Sequence, residues 1–236
     1  MPYEIEAQFR VTSPDVFDQI RAQEQIAGHR LVDQETIPRC DIYYDSPTGL
    51  LFRHRASLRL RLKGRDHSVT FKCQGNDNQN RKEEIKERIT PYQALRCLNR
   101  NFMGVGSDAV EAALSHIGTQ ILTPVLRVEN PCEAWSMYVQ ANLVKIYCDT
   151  VQYTAPKRSL CRPPKEYELE LELKVGDERF FQEIVQGISQ QYDLMPDLES
   201  DYEHGIALLD LFTTEDEAAF HKLPAPVEGT RHGTRD

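Results

Sequence analysis

Tyr167-Glu-Leu-Glu-Leu-Glu-Leu-Lys174 is the stretch that decides the fold. Its side chains alternate without a break. An extended chain therefore puts Glu168, Glu170, Glu172 and Lys174 on one face and Leu169, Leu171 and Leu173 on the other. A period of two predicts a β-strand, here running to Val175. Two more segments repeat the pattern. Tyr3–Val11 sets Glu4, Glu6 and Gln8 on one face, and Ser57–Lys63 sets Arg59 and Arg61 opposite Leu58, Leu60 and Leu62.

Taken singly, each charged face reads as the wet side of a half-buried antiparallel sheet, with leucines in the core. Three together are harder to place there. Glutamates two residues apart carry like charges along one face, and glutamate is a poor strand former, so the arrangement needs compensating cations. Closing the strands with charges inward supplies them: glutamates face arginines, lysines and metal ions. The apolar outer faces then need a cover, which amphipathic helices can provide. Mg²⁺ and Mn²⁺ take carboxylate, water and phosphate oxygens. Arginine offers phosphate a fixed fork and lysine a point charge. These are the parts for phosphoryl chemistry by positioning and electrostatics. A purely structural lattice of ion pairs fits the same composition.

Further strands are predicted at Asp41–Asp45, at a hairpin of 57–63 and 67–72 about Gly64, and around 123–130, 133–140 and 143–153. Helices are predicted from Pro14 to about Ala27, in two pieces over 91–118 divided near Gly104 and Gly106, and at about 178–191 and 201–212. The fold class is α+β: a closed eight-stranded antiparallel β-tunnel, or barrel, with amphipathic helices packed outside. Residues 1–212 read as one tunnel domain and 213–236 as a polar, flexible tail.

The chain has 236 residues, 40% hydrophobic and 28% charged, as expected of an ordinary globular protein. No apolar run approaches the roughly 18 residues of a membrane span, and MPYEIEAQF has no signal-peptide pattern. The six cysteines are scattered without a CxxC pair, which predicts reduced thiols in a cytoplasmic protein rather than disulfides or a zinc site. The seven histidines show no ligand spacing such as HxxxH. A net charge of −9 argues against broad nucleic-acid binding. It leaves room for a small polyanion, because metal ions and a few aimed cations invert the local sign. A homodimer stays open.

Several motifs, in order, carry a resemblance: Glu4-Ile-Glu6-Ala-Gln8-Phe, Ile42-Tyr-Tyr-Asp45-Ser-Pro, Leu58-Arg59-Leu-Arg61, Thr70-Phe-Lys72, the strand bearing Asp149, Glu170-Leu-Glu172-Leu, and Ser200-Asp-Tyr-Glu-His-Gly-Ile-Ala-Leu208. Over residues 1–211 the chain resembles the CYTH, or triphosphate tunnel metalloenzyme, superfamily. The resemblance implies a tunnel that hydrolyses inorganic triphosphate, thiamine triphosphate or nucleoside triphosphates, or in some members cyclises ATP. By matched position it implies that Glu4, Glu6, Glu170 and Glu172 hold Mg²⁺ or Mn²⁺, with Asp149 and Glu84 as further carboxylates. Arg59, Arg61, Lys72 and Lys82 would bind phosphate, while Glu4, Glu6 and Gln8 would stand at the reacting centre. The register at Lys82-Glu83-Glu84 is open by one residue, which exchanges Glu83 and Glu84 between faces.

The departures are as specific. The family's ExExK lysine falls at Gln8, its Ser-Lys motif reads Ser200-Asp201, and an Arg-x-Lys-Trp element reads Cys132-Glu-Ala134-Trp135. Charge-assisted phosphate bonds contribute about 1.5–3 kcal/mol each, so several lost cations weaken phosphate binding unless other groups substitute. Arg127, Lys145, Lys157 and Arg158 are the available substitutes, though a surface position is the default for each. Gln8 could instead orient an attacking water, as a glutamine does in small GTPases. The expected function is a metal-dependent triphosphatase acting on a small polyphosphate or nucleoside triphosphate, inorganic triphosphate first. The alternatives are a catalytically degenerate module that binds a phosphorylated ligand or a protein, and a class IV-type adenylyl cyclase.

Overall fold

Alternating sequence becomes sheet along most of the chain. The structure, a computed structural model, describes residues 5–74, 82–102, 104–118, 120–156, 165–197 and 199–212. Glu4, Lys157, Arg158, Cys161 and the expected tail from residue 213 lie outside them. In chain order the strands are β1 (Ile5–Val11), β2 (Gln25–Ile26), β3 (His29–Ile37), β4 (Arg39–Asp45), β5 (Ala56–Lys63), β6 (Asp66–Gln74), β7 (Lys82–Ile89), β8 (Thr123–Glu129), β9 (Cys132–Val139), β10 (Asn142–Thr154), β11 (Glu166–Val175) and β12 (Met195–Pro196). The helices are α1 (Asp15–Ala22), α2 (Leu50–Arg53), α3 (Pro91–Leu98), α4 (Asp108–Ile117), α5 (Glu178–Tyr192) and α6 (Asp201–Leu208).

The strands join in one antiparallel sheet of order β12-β1-β11-β10-β8-β4-β5-β6-β7. The long β10 gives one edge first to β9, from Asn142 to Asp149, and then to β8, from Gln152 to Thr154. A side branch β9-β3-β2 leaves the sheet at that point. The sheet curls but stays open: among the described residues, β1 and β7 do not pair with each other. This corrects the closed eight-stranded barrel. The free edge suits the sequence of β7, Lys82-Glu-Glu-Ile-Lys-Glu-Arg-Ile89, since closely set charges oppose further strand pairing. Strand β3 escapes a period-two reading because Asp33 takes positive φ and the register with β9 shifts between Val32 and Glu35.

Helices cover the leucine-bearing face, as patterning predicts. Phe17 and Ile20 of α1 and Phe181, Ile184 and Ile188 of α5 bury against Phe9, Ile146, Leu169 and Leu171. Leu51 of α2, Ala94 of α3 and Ala109, Val110 and Ala113 of α4 bury against Leu58, Leu60, Val69 and Phe71. Each fully buried large apolar side chain stabilises by about 1.5–3 kcal/mol, which holds the outer face under its helices and leaves the charged face inside the curl. Local signals fix the helix starts. Thr90 with Gln93, and Ser200 with Glu203, form reciprocal caps at the heads of α3 and α6. The predicted 91–118 helix is split as expected, at Gly104 and Gly106, both with positive φ. The predicted 14–27 and 201–212 helices end early, at Ala22 and Leu208.

Helix α6 crosses β8 and β10, with Tyr202 and Ile206 packed on Leu126, Val128 and Tyr153. Gly205 makes that crossing close. A Cβ there would meet Leu126 Cδ2 at 2.6 Å and Tyr153 Cδ1 at 2.8 Å. The crossing brings the first turn of α6, with Asp201 and Tyr202, to the inside of the curl. Cys40, Cys73, Cys97, Cys132 and Cys148 are free thiols.

Candidate functional site

The curl encloses a cavity of about 940 Å³. Its walls follow from strand register. On one side β1, β11 and β10 stack Glu6 against Glu172, Gln8 against Glu170 and Arg10 against Glu168, with Asp149 opposite Glu168 and Tyr147 opposite Glu170. On the other side β5, β6 and β7 stack Arg59 against Thr70 against Lys86, Arg61 against Ser68 against Arg88, and Ser57 against Lys72 against Glu84. An acidic wall and a basic wall thus line one cavity. Strand β4 adds Arg39 and Asp41 between them.

Most of these charges already have partners. Arg61 donates to both oxygens of Asp41, which also lies 3.5 Å from Arg59 Nη1. Burial works against the Asp41 charge, but Arg61 and Arg59 outweigh it and hold the pKa down at about 2. Arg39 Nη2 donates to Asp149 Oδ2 at 2.5 Å, and Asn130 bridges the same pair through its amide. Gln8 Nε2 donates to Glu168 Oε2 at 3.0 Å, and Tyr153 Oη donates to Glu168 Oε1 at 3.1 Å. The same tyrosine hydroxyl lies 3.4 Å from Asp201 Oδ1. Arg10 reaches Glu166 and Asp197 at 2.6 Å and Glu168 at 3.5 Å.

Two acids in this wall resist ionisation. Burial pushes Glu168 up to about 8, helped by the charge of Asp201 and opposed by Arg10. Burial likewise pushes Glu170 up to about 7, against the pull of Arg39. Asp201 is raised in the same direction, again by burial first.

The residues singled out by sequence fall as follows. Glu6 is exposed on β1 at the cavity, and Gln8 is half-buried and bound to Glu168. Glu170 and Glu172 line the cavity, and Glu172 accepts from Tyr147 and pairs with Lys174. Asp149 is buried behind Arg39. Arg59, Arg61 and Lys72 line the basic side. Lys82 opens β7 opposite Gln74. The open register there resolves with Glu84 beside Lys72, at 3.6 Å, and Glu83 beside Cys73 on the other face. Of the positions without the family's cations, Cys132 and Ala134 are buried on β9, opposite Asp149 and Tyr147, and Asp201 opens α6 at the cavity. Among the substitutes, Lys145 pairs with Glu35 at 3.1 Å and Arg127 with Glu129 at 2.9 Å.

Sequence reasoning passed over Arg10, Arg39, Asp41, Lys86 and Arg88. Strand parity could have found them: Arg10 continues Glu6 and Gln8, Arg39 and Asp41 alternate toward Tyr43, and Lys86 and Arg88 continue Glu84. The Tyr153 contact could not be found that way, since it depends on where α6 crosses the sheet.

Among the described residues, no three His, Cys, Asp or Glu side chains stand ready as a metal cage. The donor chemistry still suits a hard cation. The acids of this wall offer oxygen ligands, and burial disfavours the charge of Glu170, a condition that a divalent cation relieves.

The family model for the CYTH domain matches residues 2–206. Among solved structures, the chain is similar to a Hippeastrum adenylyl cyclase candidate with a dominant triphosphatase activity, at 14% identity and TM-score 0.60, covering 87% of this chain and 96% of that one. It is similar to an adenylate cyclase candidate of Bacillus halodurans at 15% identity and TM-score 0.57, covering 89% and 97%. A third neighbour is the PH1819 protein of Pyrococcus horikoshii OT3, at 20% identity and TM-score 0.51, covering 88% and 99%. Likeness at these identities establishes the fold. The search of curated protein sequences returned no significant match. No helix among the described residues is long and apolar enough to cross a membrane.

Proposed function

This chain belongs to the CYTH domain family, and from that premise we propose that it is a divalent-metal-dependent hydrolase of a triphosphate compound, inorganic triphosphate first. One observation carries the reading: a wall of acids and a wall of arginines and lysines line the same cavity. A polyphosphate with its counter-cations needs both. Arg59, Arg61, Lys72 and Lys82 would take phosphoryl oxygens, Arg61 by turning part of its fork from Asp41 to the ligand. Glu4, Glu6, Glu84, Asp149, Glu170 and Glu172 would hold Mg²⁺ or Mn²⁺. When bound, the metal supplies charge neutralisation and Lewis-acid polarisation at the phosphoryl group.

The chain's own groups suit the rest of the reaction. A carboxylate of the acidic wall that does not hold the metal can accept the proton of an attacking water. Gln8 sits opposite Glu170 and spends its amide nitrogen on Glu168, which leaves its oxygen to orient that water. The water oxygen attacks the terminal phosphorus, the anhydride bond breaks, and its electron pair leaves with the diphosphate. Preference for an inorganic substrate over a nucleotide is supported by the cavity's aromatic rings. Tyr43 is stacked on Tyr202 with centroids 4.9 Å apart, and Tyr147 is hydrogen-bonded to Glu172. The Tyr43 and Tyr202 faces are turned to each other, and the Tyr147 hydroxyl is taken by Glu172.

A second reading, a ligand-binding relative without turnover, is favoured by Gln8, Cys132, Ala134 and Asp201, which bring no cation to the acidic side. Phosphate release from inorganic triphosphate, ATP and thiamine triphosphate, each with Mg²⁺ and with Mn²⁺, separates the two. Metal-dependent release, fastest from inorganic triphosphate, is the expected result. No release from any substrate, with metal-dependent thermal stabilisation retained, overturns the hydrolase in favour of the binding module.

A further inference from the structure

Among the described residues, two buried hydrogen-bond donors on the basic wall have no partner. Thr70, on β6, is 1% exposed, and its Oγ1 has no partner among the described residues. Arg59, directly opposite on β5, has a buried Nε in the same condition. Both side chains line the cavity. At the far end of the Arg59 guanidinium, Nη1 lies 3.5 Å from Asp41. Its Nε edge is buried and open to a ligand. Lys86 stands across Thr70 on β7 and lines the same cavity.

Unpaired buried donors are costly, and a native fold rarely carries two side by side without a use for them. Valine would fill the Thr70 position with nearly the same shape, would suit the strand, and would bury no hydroxyl. The surroundings say what the donors await. Arg59, Arg61, Lys72 and Lys86 share the wall, so the complementary group is an oxyanion.

We propose that Thr70 Oγ1 and Arg59 Nε form an oxyanion subsite that binds one phosphoryl group of a polyphosphate ligand, which gives the Thr70 hydroxyl a role that the motif Thr70-Phe-Lys72 does not by itself assign. This rests on the reading of the cavity as a polyphosphate site. The threonine hydroxyl donates to one phosphoryl oxygen and Nε–H donates to the same or a neighbouring oxygen of that group. The two donors sit on paired strands of the sheet, so they approach the ligand from a fixed backbone. Such a pair fixes the rotation of the phosphoryl group, which lysine alone does not.

The test compares the wild-type chain with T70V and T70S by calorimetric titration with inorganic triphosphate in the presence of Mg²⁺, and by thermal unfolding without ligand. The expected result is a Kd for T70V raised about tenfold or more, recovery of most of that loss in T70S, and an apo melting temperature for T70V at or above wild type. Equal triphosphate affinity in wild type and T70V overturns the subsite while leaving the polyphosphate reading in place. An apo T70V less stable than wild type, or unfolded, also overturns it, because the hydroxyl then has a structural partner. A wild-type chain that binds no triphosphate with either Mg²⁺ or Mn²⁺ overturns the polyphosphate reading and the subsite with it.

Discussion

Arg61 forks onto Asp41, its Nε and Nη2 donating to the two carboxylate oxygens at 2.8 and 2.6 Å. Asp41 is 1% exposed, and Arg59 and Arg39 also act on it. One buried carboxylate therefore balances Arg59 and Arg61, and adds to the field that Asp149 exerts on Arg39. Removing one partner of such a group costs about 3–5 kcal/mol, because the remaining charges stay buried and unpaired. D41N is expected to lose stability on that scale in urea unfolding. Triphosphate should raise its melting temperature more than that of wild type, since the anion restores the missing counter-charge. The Asp41 pKa is depressed in the folded state, so its contribution is present above the unfolded carboxylate value of about 4 and is lost as pH falls toward 2. A D41N variant as stable as wild type at pH 7 removes Asp41 from this role.

Glu168 and Glu170 give the opposite slope. Their folded pKa values, about 8 and about 7, lie above the unfolded carboxyl value, so the folded chain holds protons that the unfolded chain releases. Stability from these groups is full below about pH 4 and is lost as pH rises through 7 to 8. Glutamine at either position removes the titration. E170Q is expected to flatten the fall in melting temperature between pH 5 and pH 8 and to be more stable than wild type at pH 8. It should also reduce the stabilisation given by Mg²⁺ or Mn²⁺. An unchanged metal response in E170Q would take Glu170 out of the metal-holding set.

Gln8 is the position where one charge can be restored. It already touches Glu168 and lies opposite Glu170, so a lysine there would face both acids. A cation beside them favours their ionised forms and lowers both pKa values. Q8K is expected to gain stability at pH 8 relative to wild type, and to bind triphosphate more tightly. Calorimetry at pH 8 reads the affinity; weaker binding by Q8K would mean that residue 8 does not face the ligand.

Alternation made much of this architecture legible. The period of two placed Glu6, Gln8, Arg59, Arg61, Glu170 and Glu172 on one face, and they line one cavity. Parity depends only on backbone geometry, so it survives ignorance of the partner strand. Sheet closure does not follow from parity. Whether β7 meets β1 depends on edge chemistry and curl, and here a strand of charges ends the sheet. Pairing was also hidden. Arg61 and Asp41 lie twenty positions apart on neighbouring strands, and nothing local shows that the arginine expected to take phosphate is held by an aspartate. The Thr70 hydroxyl was hidden for another reason: threonine is an ordinary strand former, and only burial without a partner marks it.

Asp201 reaches the cavity because Gly205, one turn later on α6, lets the helix lie against β8 and β10. A methyl group at Gly205 would come within 2.6 Å of Leu126 and 2.8 Å of Tyr153, so one of the three must move. Tyr153 is not free to do so, since its hydroxyl bonds Glu168 inside the cavity. The helix is held at its first turn as well: Tyr202 donates to the buried Asp45 at 2.8 Å, which also accepts the backbone N–H groups of Leu51 and Phe52. G205A therefore strains a contact fixed at both ends, and overpacking of this kind costs about 1–3 kcal/mol. The expected outcome is a lower urea midpoint for G205A, with a second and independent loss in triphosphate affinity as Tyr153 and Asp201 shift. Y202F separates the two effects. It leaves Asp45 with its backbone donors and should cost about 1–3 kcal/mol for the lost hydrogen bond, while the close packing at Gly205 keeps Tyr153 in place and triphosphate binding near wild type. A G205A chain that matches wild type in both midpoint and affinity would show that α6 has room to spare over the sheet, and would detach Asp201 from the site.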